Sequence, residues 1–160
     1  MPIPIRLGAA LKGASLIEAL LATFLLSIAL LGAASVQTSA MRQASAVSLQ
    51  TQADLLARQM LDRMRLNPAG ISSGSYNEVV AESVPNDSGC SASTCATAAA
   101  IAQADISQWQ AQVDKLPGGA GFVSGSGPGS LYAVTVSWKE NPNRGDAQPS
   151  QSLTLRSTLP

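Results

Sequence analysis

The first residue whose chemistry needs an explanation is a carboxylate in an apolar stretch. Glu18 lies near the start of LIEALLATFLLSIALLG, residues 16–32, which contains no other charge. A charged side chain at the centre of a membrane helix costs about 2.5–3.5 kcal/mol on insertion scales, so such residues are rare and usually have a partner. Glu18 is therefore a candidate functional residue.

The stretch that follows Glu18 is long enough to cross a membrane. Residues 19–36 are eighteen residues without a charge, close to the length that spans a hydrocarbon core of roughly 30 Å as a helix. Arg6 and Lys12 precede this run. Because basic residues favour the cytoplasmic side, we expect a cytoplasmic N-terminus and a single transmembrane segment that delivers the rest of the chain to the other side.

The helix that contains Glu18 is expected to continue far beyond the membrane. No proline occurs between residues 5 and 67, and only Gly32 weakens a helix over 14–66. Asn67 should end this helix, since Pro68 disfavours helical geometry in the residue before it. Apolar residues recur at spacings of four and three, which predicts one buried stripe: Leu49, Ala53, Leu56, Met60 and Met64. Three charges spaced four apart should support one another on the other face: Asp54, Arg58 and Asp62.

The remaining residues, 67–160, have the composition of one small head domain. After an irregular stretch from 67 to about 97, residues 100–116 predict a short helix with four apolar residues on one face: Ile101, Ile106, Trp109 and Val113. Three runs, 121–125, 130–138 and 152–159, are typical of strands joined by short links, which favours antiparallel pairing. In the second run, Leu131, Ala133 or Val134, Val136 and Trp138 indicate partial alternation. The predicted fold class is α+β, with a long helix packed on a small antiparallel sheet.

A removable secretory signal is the main alternative for the N-terminal segment. A basic start and an apolar run are also typical of signal peptides, and the small residues at 32–34 could form a cleavage site. The charge of Glu18 and an amphipathic helix that continues in phase past that site argue against this interpretation. A removable signal needs neither feature.

The two cysteines predict a disulfide rather than a metal site. Cys90 and Cys95 lie in CSASTC, in a Ser- and Ala-rich stretch beyond the predicted membrane segment. Outside a bacterial inner membrane thiols are oxidised, so a closely spaced pair is interpreted as a disulfide. With no histidine in the chain, four soft ligands for zinc cannot be assembled, and we predict no metal site.

Composition argues against an enzyme and against a nucleic-acid partner. The chain has ten basic and ten acidic residues and few aromatics, so it has little with which to neutralise phosphates or stack on bases. The glycine-rich segment 118–129 matches neither dinucleotide nor phosphate-loop spacing, and the carboxylates of the head show no catalytic arrangement. We predict no cofactor, and an ordinary exposed turn for the Arg-Gly-Asp tripeptide at 144–146.

The leader junction resembles that of type IV prepilins and pseudopilins. In KGASLIEALLATFLLSIALLG, a basic leader ends in glycine and a glutamate occupies the fifth position after it. Within this superfamily, LLARQMLDRMRLNPAG, LPGG and VTVSWKE are similar to the PilV family of minor pilins, the type IV pilus modification proteins. These matches extend over nearly the whole chain.

The resemblance implies a processed, non-enzymatic structural protein. A prepilin peptidase would remove leader residues 1–13 by cutting between Gly13 and Ala14, and would methylate the amine of Ala14. Residues 14–36 would form the transmembrane and assembly segment, and residues 67–160 a periplasmic head. The implied partners are inner-membrane lipid, other minor pilins, the major pilin and a pilus-tip adhesin. A pseudopilin of a type II secretion machine remains an alternative.

Overall fold

The computed structural model describes residues 15–81, 97–140 and 150–160. The chain divides into two compact units, Met1–Gln43 and Ala44–Pro160. The predicted α+β class is confirmed, because a long N-terminal helix is followed by a small antiparallel sheet, a layout that fits the type IV pilin-like fold. The elements in chain order are α1 (Leu16–Leu66), α2 (Pro68–Ser72), α3 (Ala98–Val113), β1 (Ala120–Ser124), β2 (Leu131–Trp138) and β3 (Gln151–Thr158).

Helix α1 has 51 residues and ends where the sequence predicted. Asn67 has φ −125° and ψ 67°, which is not helical, because the ring of Pro68 disfavours the helical conformation in the preceding residue. The helix begins at Leu16, and Ser15 just before it is not helical.

The expectation of an irregular stretch directly after α1 was wrong. Pro68 starts the short helix α2, and the side-chain oxygen of Asn67 accepts a hydrogen bond from the backbone N–H of Gly70 at 3.1 Å. Asparagine before a proline is a favourable helix start, since the asparagine caps free N–H groups and proline has none to lose. Further on, Val79 pairs with Val123 of β1 in an isolated antiparallel bridge.

The sheet has the order β1-β2-β3 and both pairs are antiparallel, as the sequence predicted. Tyr132, Val134, Val136 and Trp138 of β2 are buried. Strand residues alternate between faces, so Leu131, which the sequence pattern grouped with Val136 and Trp138 as a sign of alternation, lies on the opposite face from them and is 56% exposed.

Helix α1 supplies one side of the core of the second unit. Of the predicted stripe, Ala53, Met60 and Met64 are fully buried, and Leu49 and Leu56 are partly buried against the core. Ala57 and Leu61 widen the stripe. A buried face of this width is expected for a helix that packs on a domain rather than in a narrow coiled-coil seam.

Helix α3 closes the core from another side. Ile106, Trp109 and Val113 are buried as predicted, but Ile101 is 37% exposed and Ala102 takes the interior position. The successive intervals in the series Ala102, Ile106, Trp109 and Val113 are four, three and four residues, which is the spacing of one helical face. A series that starts at Ile101 fits this spacing less well.

Trp109 fixes α3 to its neighbours on both sides. Its indole Nε1–H donates to the carbonyl oxygen of Leu56 on α1 at 2.9 Å. Its ring lies so close to Gly121 of β1 that a Cβ there would come within 2.6 Å of Cη2. The neighbouring Gln110 donates to the Gly121 carbonyl at 2.8 Å. Glycine is therefore required at 121 for this close approach.

Candidate assembly surface

The first half of α1 is an exposed apolar surface. Its most apolar 18-residue window has a mean hydropathy of 2.3, and none of that window is buried within the chain. By length and composition this helix could cross a membrane, the one helix of the described chain that meets this test. The large side chains on this surface are between 53% and 78% exposed: Leu16, Ile17, Leu20, Leu21, Phe24, Leu25, Leu26, Ile28, Leu30 and Leu31.

Hydroxyl groups on this surface bond to the backbone of their own helix. Thr23 donates to the carbonyl oxygen of Leu20 at 3.0 Å, and Ser27 donates to that of Thr23 at 2.8 Å. Ser35 and Thr38 make equivalent bonds to carbonyls three and four residues earlier. A polar group bonded in this way needs no water, so it can enter lipid or a protein interface at low cost.

Glu18 lies in the first turn of α1 and is exposed. Its backbone N–H donates to the carbonyl oxygen of Ser15 at 2.9 Å. The positive end of the helix dipole favours a negative charge at this position. Within the described part of the chain no cation pairs with the Glu18 carboxylate.

Several residues singled out in the sequence lie outside the described residues. They are the processing residues Gly13 and Ala14, the cysteines Cys90 and Cys95, and the tripeptide at 144–146. Peptide cleavage, methylation and the disulfide therefore remain predictions.

A polar cluster in the head escaped the sequence analysis. The Tyr76 hydroxyl donates to Asp105 Oδ2 at 2.7 Å and accepts from Asn67 Nδ2 at 3.1 Å. Arg63 Nη1 lies 3.3 Å from Asp105 Oδ1, with both side chains largely buried, and Asn67 also donates to the Ala98 carbonyl at 2.8 Å. The cluster joins the end of α1, the start of α2 and helix α3.

The electrostatics of this cluster keep Tyr76 neutral. Burial raises the pKa of the Tyr76 hydroxyl far above its ordinary value, and the hydrogen bond to the Asp105 carboxylate raises it further. A neutral hydroxyl can donate to Asp105, whereas a phenolate beside that carboxylate would repel it. The cluster is therefore a structural clasp. The Asn-Pro pair at the end of α1 was the one signal in the sequence that could have indicated it.

The charged face of α1 differs in one respect from the expectation. Arg58 Nε lies 2.8 Å from Asp54 Oδ2, as predicted for residues four apart. Asp62 pairs instead with Arg65, three residues later, at 2.8 Å. Both pairs are exposed, so they contribute little to stability.

The described residues present no candidate metal centre. Among these residues no group of three histidine, cysteine or acidic side chains could hold a metal ion. The first unit presents an exposed apolar surface with one carboxylate, that of Glu18, in the first turn of α1. No protein-family model, curated protein or solved structure matches this chain.

Proposed function

We propose that the chain is a minor pilin of the type IV pilus. One observation carries this proposal: a single helix combines an exposed apolar first half bearing Glu18 with a second half that forms part of the head core. The first half suits lipid before assembly and the helices of neighbouring subunits afterwards. The second half attaches that segment to a folded head.

The proposed maturation begins in the bacterial inner membrane, with the head in the periplasm. Prepilin peptidase removes residues 1–13 by cutting between Gly13 and Ala14 and methylates the new amine at Ala14. Mature Glu18 is then the fifth residue, about one helical turn from the terminus. The protein joins other minor pilins in a complex that primes assembly of the major pilin, and it ends near the fibre tip at the cell surface, beside a tip adhesin.

Glu18 sets the axial position of the subunit in this proposal. When apolar helices surround one another, an unpaired carboxylate in the low-dielectric bundle is costly. The methylated amine of Ala14 in an adjacent subunit keeps its positive charge and can donate to Glu18. Apolar helices can slide along one another, but a buried charge must meet its partner.

Substitutions at Glu18 test this role. We expect Glu18→Ala to leave membrane insertion and leader cleavage intact but to reduce co-purification with partner pilins and the number of surface pili. Glu18→Gln keeps the shape without the charge and should show most of the same defect. The matched control is Ser27→Ala, because that hydroxyl already bonds within its own helix. Normal piliation and normal co-purification in both Glu18 variants would contradict the role of the charge.

The same strains separate the main alternative from the proposal. A pseudopilin of a type II secretion machine would share the leader, the helix and the need for Glu18. In that case the Glu18 variants would lose secretion of folded substrates and keep their pili. Loss of pili with normal secretion is the result expected of a minor pilin.

A further inference from the structure

Arg42 is the first charged residue of α1 after Glu18. The 23 residues between them are uncharged, and the next charge, Asp54, follows Arg42 by 12 residues, or about three helical turns. Arg42 is exposed and belongs to the first unit. Its guanidinium therefore has no carboxylate on the neighbouring turns of its own helix.

Arg42 also has no ionic partner elsewhere in the described part of the chain. The ion pairs of these residues join Arg58 to Asp54, Arg63 to Asp105 and Arg65 to Asp62. Glu140 lines an opening beside Ala46 and Val47 in the second unit and takes part in none of these pairs. Within the described residues the positive charge of Arg42 is therefore uncompensated.

The distance from Glu18 to Arg42 sets the depth of Arg42 in a membrane. The two residues are 24 apart on one helix, which is about 36 Å when the helix is upright and about 34 Å at an ordinary tilt of about 20°. The hydrocarbon core is about 30 Å thick, and the headgroup layers add roughly 5–8 Å on each side. Since either charge enters the core only at a cost, Arg42 lies between the far face of the core and a point about 6 Å beyond it. This range falls within the headgroup layer.

Phospholipid phosphates are the anions of that layer. The Cα–Cβ bond of a helical residue tilts toward the N-terminus of the helix, so the Arg42 side chain leaves α1 toward the membrane. Its apolar stem can lie against lipid while the charge stays at the interface. A guanidinium also offers paired N–H donors that match two oxygens of one phosphate. Before assembly, the depth of Arg42 therefore favours a lipid phosphate over a protein carboxylate.

We propose that Arg42 binds the phosphate of a phospholipid in the periplasmic leaflet of the inner membrane. The contact fixes the depth of α1 in the bilayer, with Glu18 at the opposite face, and it breaks when the subunit leaves the membrane for the fibre. This inference rests on the membrane stage of the proposed function. It holds equally for a pseudopilin, because it does not depend on which fibre the subunit enters.

Solid-state NMR of the full-length protein in bilayers of phosphatidylethanolamine and phosphatidylglycerol tests the contact. The protein carries isotope-labelled arginine, and the buffer contains no phosphate, so the lipid is the source of phosphorus. Carbon–phosphorus dipolar coupling attenuates the signal of a guanidinium carbon that lies beside a phosphate. We expect an attenuated arginine signal that disappears in Arg42→Gln. Arg58→Gln is the matched control and should keep it, since Arg58 lies 16 residues further along α1 and is paired with Asp54.

The possible results separate this inference from the proposed function. Extraction of the protein from the bilayers by alkaline carbonate would contradict the membrane span, and the proposed function with it. A stably inserted protein whose attenuated arginine signals are unchanged in Arg42→Gln would overturn the lipid contact alone. Attenuation of the Arg42 signal that arises only in Glu140→Gln would also overturn it, because Glu140 would then be the partner of Arg42.

Discussion

The two halves of α1 belong to one helix but have opposite surroundings. In the first half, the large apolar residues from Leu16 to Leu31 are all at least half exposed. In the second half, which packs on the head, five residues of α1 are buried: Ala53, Ala57, Met60, Leu61 and Met64. The first half is apolar on nearly every side, whereas the second is apolar on one face. The pattern of apolar residues, more than their number, therefore distinguishes a segment for lipid or subunit contacts from one that packs on its own domain.

The largest loss of stability is expected when the residue that fixes α3 to α1 is truncated. Trp109→Ala should destabilise the head by about 3–5 kcal/mol, because it empties a large buried volume and removes the bond to the Leu56 carbonyl. The near-ultraviolet dichroism of the protein in micelles during heating measures this loss. Ile101→Ala on the same helix is the control and should cost far less, since Ile101 is partly exposed. Equal losses for the two variants would contradict the assigned core.

Truncating one large side chain in each half of α1 separates the contributions of the two halves to head stability. Met60→Ala should lower the free energy of unfolding of the head by about 2–5 kcal/mol, because Met60 is fully buried. Leu25→Ala should leave it unchanged, since Leu25 is exposed in the first unit. Leu55 is an exposed residue in the second half of α1, so Leu55→Ala controls for the change in helix propensity. Denaturant unfolding in micelles gives the three values, and a head destabilised by Leu25→Ala would show that the first half contributes to the head core.

Tyr76→Phe tests the polar clasp of the head. It removes a donor to Asp105 and an acceptor for Asn67, so we expect a loss of about 1–3 kcal/mol at neutral pH. Because the folded pKa of Tyr76 is raised, its contribution is fully present below the ordinary tyrosine pKa of about 10 and is lost as pH rises above it. Unfolding measured between pH 8 and pH 11 should therefore show a steeper alkaline loss in the wild type than in Tyr76→Phe. Parallel pH profiles would contradict the assigned pKa shift.

The smallest effect is expected at the exposed ion pair of α1. Arg58→Ala removes the contact with Asp54, but the Arg58 side chain is largely solvated, so the unfolding midpoint of the head should not change measurably. A clear loss of stability would mean that the charged face of α1 contacts something besides solvent. Increasing the salt concentration provides an independent check, since screening should also have no effect.

The regular elements were predictable because their signals are local. The end of α1 followed from Pro68, and the interior face of the helix followed from the spacing of Ala53, Met60 and Met64. The antiparallel strands followed from alternating runs between glycine-rich links. None of these inferences required knowledge of which distant residues meet.

The differences between sequence and structure lie at interior positions of β2 and α3 and in the polar cluster of the head. Tyr132, not Leu131, shares the interior face of β2 with Val134 and Val136, and its hydroxyl has partners there. It donates to Asn77 Oδ1 at 2.6 Å and accepts from the Gly127 N–H at 3.1 Å. Ala102 replaced Ile101 because it keeps the helical spacing of the buried face. The polar cluster depends on contacts between residues far apart in sequence, 29 for Tyr76 and Asp105 and 42 for Arg63 and Asp105, which no local pattern reports.

The intact mass and N-terminal sequence of the protein purified from membranes test the central claim most directly. The proposed minor pilin starts at Ala14, lacks residues 1–13 and carries one added methyl group on its terminal amine. Its formal charge is about −2, since the leader contains the two bases Arg6 and Lys12 and no acid. An N-terminus at Ala34 or Ser35 would identify a conventional signal peptide, and an intact leader would show that the junction is not processed. Either result would contradict the assignment.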